Sequence, residues 1–220
     1  MEIHAPEKPI HSLKDFFLHL LTITIGILIA MSLEGWMETR KHHKLVEVAT
    51  ANITKEITEN KVALDGSLKN VDKQRKALEN AFRFTSDLLK TKKTDIHNIE
   101  LGFAMPVPSS AAWKTAETTG ALGHMGYPAV KKYAELYNLQ DTYSRNVQQK
   151  LDRLSDAMSL LLAGEDPTKA DAKDLEAFRT AIMKMMSTLQ LEKDLGTTLS
   201  KAYQEALEHS PSAAHWPVYK

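Results

Sequence analysis

Phe16–Leu33 reads FFLHLLTITIGILIAMSL, eighteen residues without one Asp, Glu, Lys or Arg, and no other run in the chain matches it. At a helical rise of ~1.5 Å per residue it reaches about 27 Å, close to a hydrocarbon core of about 30 Å. Trp36 follows where an interfacial aromatic belongs. These features predict one transmembrane anchor over 16–38, behind an N-terminal tail of residues 1–15. Two alternatives compete with it. A cleaved signal peptide would use Lys8 and Lys14 as its basic region and Ala30-Met31-Ser32 as a small-x-small site, but Glu2, Glu7 and Asp15 make the preceding tail acidic, so a retained segment is expected. A buried core helix of this length would carry an amphipathic face, and this run has none.

The flanks of the run are basic in unequal measure. Lys8 and Lys14 precede it while Arg40, Lys41 and Lys44 follow it, so the positive-inside rule leans by a single charge toward a cytoplasmic C-terminal domain. A tail kept inside would place that domain on the other side. Trp36, Arg40, Lys41, His42, His43 and Lys44 are expected to form a membrane-interface collar, attracted to anionic headgroups. His42 and His43 are neighbours, about 100° apart on a helix, which does not suit joint metal chelation. Within the span, His19 invites the role of haem ligand or proton relay, yet it is one residue near the boundary and is expected to snorkel. Thr22, Gly26 and Ala30 recur at steps of four, a small-residue face suited to self-association through the span. Glu34 and Glu38 continue that face and would repel one another in a parallel pair.

Composition narrows the function classes. The chain has 220 residues, Lys+Arg 28 against Asp+Glu 28, and no cysteine. Thiolate nucleophiles, Cys-ligated zinc, iron–sulfur clusters and disulfide frameworks are excluded, while the redox compartment stays open. Balanced charge removes the electrostatic case for nucleic acid, so no nucleic-acid partner is expected.

Beyond the anchor the periodicity is helical. Leu45, Ala49, Ile53, Ile57, Leu64, Leu68, Val71, Leu78, Phe82 and Leu89 recur at three-four spacing between Thr39 and about Lys90, with no proline and only Gly66. The anchor is therefore expected to continue straight into one long helix. Residues 91–109 read as a connector, after which Ser109 or Ser110 caps a short helix to about Ala116. Gly120, Gly123 and Gly126 mark a turn. Pro128 suits the start of a helix whose seam runs Val130, Tyr133, Tyr137, Gln140, Ser144, Val147, Leu151, Leu154, Met158 and Leu161. Gly164-Glu165-Asp166-Pro167 is a turn, and a last helix from about Ala170 to Glu208 carries Leu175, Phe178, Ile182, Met185, Leu189, Leu199 and Tyr203 on one stripe. The expected fold is all-α: one transmembrane helix continuing into a long helix and packed with a C-terminal hairpin as an extended, coiled-coil-like bundle over 39–208, followed by a loose tail, 209–220.

Chemistry-bearing motifs are scarce. Nine histidines form no HExxH, the glycines of TGALGHMG lack a Walker lysine, and there is no GxSxG elbow. Carboxylate pairs such as Glu56 with Glu59 are ordinary on helix surfaces. The nine methionines suit the helical seam. No catalytic residue, metal ligand or cofactor is nominated. The segment that stands out is 109–143, which gathers Trp113, Tyr127, Tyr133, Tyr137 and Tyr143 around three glycines. Its first reading is a structural aromatic cluster, its second an aromatic-lined pocket.

LTITIGILIAMSLEGW, then RKHHKLVEVATANITKEITEN, then AAW, TGAL and the Tyr-rich helix together resemble a group of uncharacterised bacterial single-pass membrane proteins with a GILIA…W span and a W…G…Y helical element. The resemblance covers about residues 13–145. It implies a bacterial inner-membrane protein and carries no activity to transfer. The expected function is a membrane-anchored interaction, scaffold or sensor-like protein whose partners are the lipid bilayer and either a second copy or another membrane protein. The alternatives are an accessory subunit of a larger membrane complex and a ligand-binding or enzymatic domain with a pocket at 113–143.

Overall fold

The computed structural model describes residues 13–95, 106–162 and 169–208. They form α1 (Leu13–Leu68), α2 (Val71–Thr91), α3 (Ala111–Thr118), a 3-10 turn (Ala121–His124), α4 (Tyr127–Leu162) and α5 (Ala172–Glu208). No strand occurs among the described residues. The expected turn at Gly164–Pro167, the tail 209–220 and most of the connector lie outside them, as do the side chains of Leu154, Met158 and Leu161.

The apolar run does continue unbroken into the bundle, within a helix of 56 residues. That helix stops at Leu68, so the single helix expected through Lys90 is two. The cause is local. Asn70 donates its backbone N–H to Ser67 O at 2.9 Å, three residues back, and its side-chain amide to Gly66 O at 3.2 Å. A side chain that satisfies backbone carbonyls competes with the helical ladder. The buried stripe survives the break, running through Ile53, Ile57, Leu64, Val71, Leu78 and Leu88.

α5 is the central element, packed on α4, α2 and α1, while α3 and the 3-10 turn lie on α1. Side-chain pairs set the direction of each helix. Tyr137 meets Glu56, and Lys150 meets Gln74, so α4 runs parallel to α1 and α2. Leu189 and Phe178 pack beside α2, whereas Leu199 and Tyr203 share a core with α1, so α5 runs back toward the apolar segment. The bundle is thus narrow and long, with three successive apolar clusters along its axis. Full burial of each Ile, Leu or Phe in them stabilises the fold by about 1.5–3 kcal/mol.

Close packing is sharpest at Gly196. A Cβ there would stand 2.9 Å from Leu68 Cδ2, 3.2 Å from Tyr143 Cε2 and 3.4 Å from Leu64 Cδ1. The gap in the α5 stripe between Leu189 and Leu199 is filled by this glycine and by Glu192, both buried.

Residues 13–41 contrast with all of this. Every one is exposed, and the first buried side chain on α1 is Val46. At ~1.5 Å per residue, about 43 Å of helix projects from the bundle with its apolar side chains uncovered. Its hydroxyls are bonded within the helix: Thr22 donates to Leu18 O at 2.9 Å, Thr24 to Leu20 O at 2.8 Å and Ser32 to Leu28 O at 2.7 Å. A helix so arranged shows no unsatisfied backbone-competing group to its surroundings.

Candidate functional site

The most elaborate polar cluster is one that periodicity assigned to the surface. Glu56 is 7 % exposed and faces α3 and α4. Its Oε1 accepts the Tyr137 hydroxyl at 2.7 Å; its Oε2 accepts the Ser109 hydroxyl at 2.7 Å and the Ala112 N–H at 2.9 Å. Glu59, its supposed companion, is exposed and pairs with Lys55 at 3.9 Å. The cap of α3 is therefore shared between two elements. Ser109 Oγ accepts the Ala111 N–H at 3.2 Å, Ser110 makes no side-chain cap, and the Ala112 amide is satisfied from α1. A carboxylate at a helix N-terminus also meets the positive end of the helix dipole.

One turn along α1, Asn60 holds the backbone of Ser109 from both sides, accepting its N–H at 2.9 Å and donating to its carbonyl at 2.8 Å. Gln140 donates to the same carbonyl at 2.9 Å and accepts the Tyr203 hydroxyl at 2.7 Å. Four elements, α1, the segment before α3, α4 and α5, are clasped at one level. Burial, reinforced by the hydrogen bond to Glu56, pushes the Tyr137 phenol well above its usual range. Burial, then the nearby Tyr143 and the Glu56 carboxylate, do the same to Tyr203. Both hydroxyls stay protonated and act as donors. Glu56 has three donors on its two oxygens, all from within the chain, so the clasp is an internal brace.

A second polar layer lies further along the axis. Lys150 and Glu192, each with 1 % of its side chain exposed, form an ion pair, and Lys150 Nζ also lies 3.5 Å from Gln74 Oε1. The Tyr143 phenol beside them is raised by burial and by the Glu192 carboxylate. Sequence reasoning passed over Glu56, Asn60, Lys150 and Glu192. The signal was available: each falls on the apolar stripe of its own helix, where an uncompensated polar group is costly and so implies a partner.

The aromatic segment is brought together in part. Trp113 stacks on Tyr137 with ring centroids 5.2 Å apart and 19° between planes, and meets Tyr133 at 6.4 Å. Tyr133 and Tyr137 are buried in the main core and Trp113 is half-buried against it. The three rings pack on one another beside α1 and α3. Tyr127 is not among them, being 73 % exposed at the start of α4. Gly120 takes the left-handed conformation, φ 75°, that turns the chain from α3 into the 3-10 turn.

At the collar, the Arg40 guanidinium lies over the Trp36 ring at 4.2 Å, a cation–π contact. Lys44 pairs with Glu47 at 3.1 Å, and Lys41 and His43 are exposed. His42 turns away from its neighbour and stacks on His124 with centroids 3.7 Å apart. On the apolar segment, a Cβ at Gly26 would meet nothing within 4 Å, and Thr22, Gly26 and Ala30 are all exposed. Among the described residues no group of three or more His, Cys, Asp or Glu is placed to hold a metal ion.

The features together define a class: a helical bundle carried on a helix that is long and apolar enough, by length and composition, to cross a membrane. The chain belongs to the family of unknown function DUF6090, which matches residues 19–136. The matched region takes in most of the apolar segment, the basic residues that follow it, Glu56, Asn60 and Trp113, and stops one residue before Tyr137. No curated protein and no solved structure matches the chain.

Proposed function

We propose that this protein is a single-pass, membrane-anchored helical scaffold, with residues 16–38 in the bilayer and the bundle of 39–208 presented beside it as an interaction domain. The observation that carries the reading is the wholly exposed apolar surface of residues 13–37, set on the same rigid helix whose later turns form the core. A water-soluble monomer rarely exposes so large a contiguous apolar surface. The internally bonded hydroxyls of Thr22, Thr24 and Ser32 and the Arg40–Trp36 contact at the charged edge support burial in lipid. The bacterial inner membrane is the location implied by the resemblance of the span and its GILIA core. A catalytic role for the bundle lacks an equivalent observation, since its buried carboxylates Glu56 and Glu192 are engaged by internal partners.

Deletion of residues 1–38 tests the anchor, because every buried side chain of α1 lies beyond it. The full chain is expected in the membrane fraction after carbonate washing and the truncated chain in the soluble fraction with helical circular dichroism. A truncated chain that stays membrane-integral overturns the single-span reading.

A further inference from the structure

The two polar layers of the bundle differ in kind. The Glu56 clasp joins its groups directly. Around Lys150 and Glu192, by contrast, the Ser67 hydroxyl, the Tyr143 hydroxyl and Gln74 Nε2 meet no partner within the chain at bonding distance and angle, and neither does Asn146 Oδ1, four residues before Lys150 on α4. All four residues are 5 % exposed or less, so bulk solvent does not reach them. The groups share one region of the core. Lys150 Nζ, paired with Glu192, lies 3.5 Å from Gln74 Oε1, which brings the other end of that amide beside the pair. Burial, then the Glu192 carboxylate, push the Tyr143 phenol up while Ser67 pulls it down, so the phenol sits between α5 and the end of α1. Ser67 and Gln74 lie on the stripe that crosses the α1–α2 break, and Tyr143, Asn146 and Lys150 follow one another at three-four spacing along α4.

Buried polar atoms in folded proteins are nearly always paired, with protein or with ordered water. Polar groups that face one another just beyond bonding reach are joined by a bridging water. We propose that this layer is an internal hydration site, in which ordered water bridges Ser67, Gln74 and Tyr143 beside the Lys150–Glu192 pair and extends to Asn146. The inventory of donors and acceptors suits that ligand. Gln74 Nε2 only donates, Asn146 Oδ1 only accepts, and the two hydroxyls do either, which matches a molecule that donates twice and accepts twice. A buried water typically makes about three such bonds, and the layer supplies them from α1, α2 and α4. The site coincides with the place where α1 gives way to α2. Bridging water re-forms its bonds over small shifts that close-packed side chains resist, so the joint between the two helices sits on the most forgiving layer of the core.

X-ray hydroxyl-radical footprinting of the full-length chain in lipid nanodiscs reads held water directly, because radicals formed from a bound water oxidise the side chain beside it. Tyr143 and Tyr203 are both 0 % exposed and share one apolar cluster, and they differ in their hydroxyls: Tyr203 donates to Gln140 Oε1 at 2.7 Å, whereas Tyr143 points into the layer. The expected result is oxidation of Tyr143 several-fold faster than that of Tyr203, at a rate unchanged by urea too dilute to reduce the helical signal. Tyr143 oxidised no faster than Tyr203 shows a dry layer and overturns the proposal. Oxidation of Tyr143 that climbs with urea reports transient opening of the bundle instead of held water, and overturns it as well.

Discussion

Glu56 Oε2 accepts the Ala112 amide at 2.9 Å, so the short helix α3 is capped by a carboxylate 56 residues earlier in the chain. A local cap would hold α3 to itself; this one holds α3 to α1, and through Tyr137 to α4.

Glu56→Ala is accordingly expected to strand a phenol, a hydroxyl and a helix amide. A buried group left without its partner costs about 1–3 kcal/mol; Tyr137 is buried and Ala112 half-buried while Ser109 is exposed to water, so a loss of about 2–3 kcal/mol is expected in denaturant unfolding of the detergent-solubilised protein. Glu56→Gln retains one acceptor oxygen and should lose less. Equal losses would show that a single neutral acceptor oxygen does nothing for the clasp, which would then depend wholly on the charge and the second oxygen.

Lys150 and Glu192 should behave as a buried pair whose halves are worse apart than absent. Lys150→Met leaves Glu192 uncompensated and is expected to cost about 3–5 kcal/mol, and Glu192→Met a similar amount. The double variant should recover most of that loss. Additive losses in the cycle would mean the two side chains are not coupled.

The phenols of Tyr137, Tyr143 and Tyr203 are all raised, by burial first and by neighbouring carboxylates and phenols after it. A raised folded pKa leaves stability intact below the unfolded value of about 10 and lowers it as pH rises beyond, because only the unfolded chain can then ionise. Alkaline titration should therefore show tyrosinate absorbance for these residues rising only with loss of helical signal. Asp65 works at the opposite end. Burial pushes its carboxyl up, but hydrogen bonds from Lys61 and Ser200 outweigh that and hold it low. The Asp65 tie between α1 and α5 should persist at neutral pH and fail in acid, below the ordinary carboxylate range.

Gly196→Val places methyl groups where a Cβ already stands 2.9 Å from Leu68. Over-packing of this kind costs about 1–3 kcal/mol, against a gain in helix propensity of a few tenths. The midpoint of thermal unfolding should fall. An unchanged midpoint would show that α5 can move away from α1 at no cost.

Trp113→Ala should be milder than a full core truncation. A buried aromatic lost to alanine costs about 3–5 kcal/mol, but Trp113 is half-buried and the Tyr137 ring beneath it remains. A loss of about 2–3 kcal/mol is expected, from reduced burial and the missing stack. A loss near zero would mark Trp113 as a recognition residue.

Periodicity made much of this molecule legible. The uncharged run of Phe16–Leu33 specifies a helix, and the stripes from Ile53 to Leu78 and from Leu175 to Tyr203 specify helical segments with their buried faces, because apolar spacing along a helix is a local property. The break at Asn70 was less legible, since it turns on one amide side chain bonding Gly66 instead of water. Which polar residues on those stripes meet could not be read from spacing at all. Glu56 finds Tyr137 81 residues away and Lys150 finds Glu192 42 away, pairings set by the order in which α4 and α5 pass beside α1 and α2. The same holds for the foot of the bundle: His42 and His124 are unremarkable in sequence, and only the return of the chain through α3 stacks one on the other. Amphipathic faces are written residue by residue, whereas the partners of buried charges and rings depend on how separate helices stack in space.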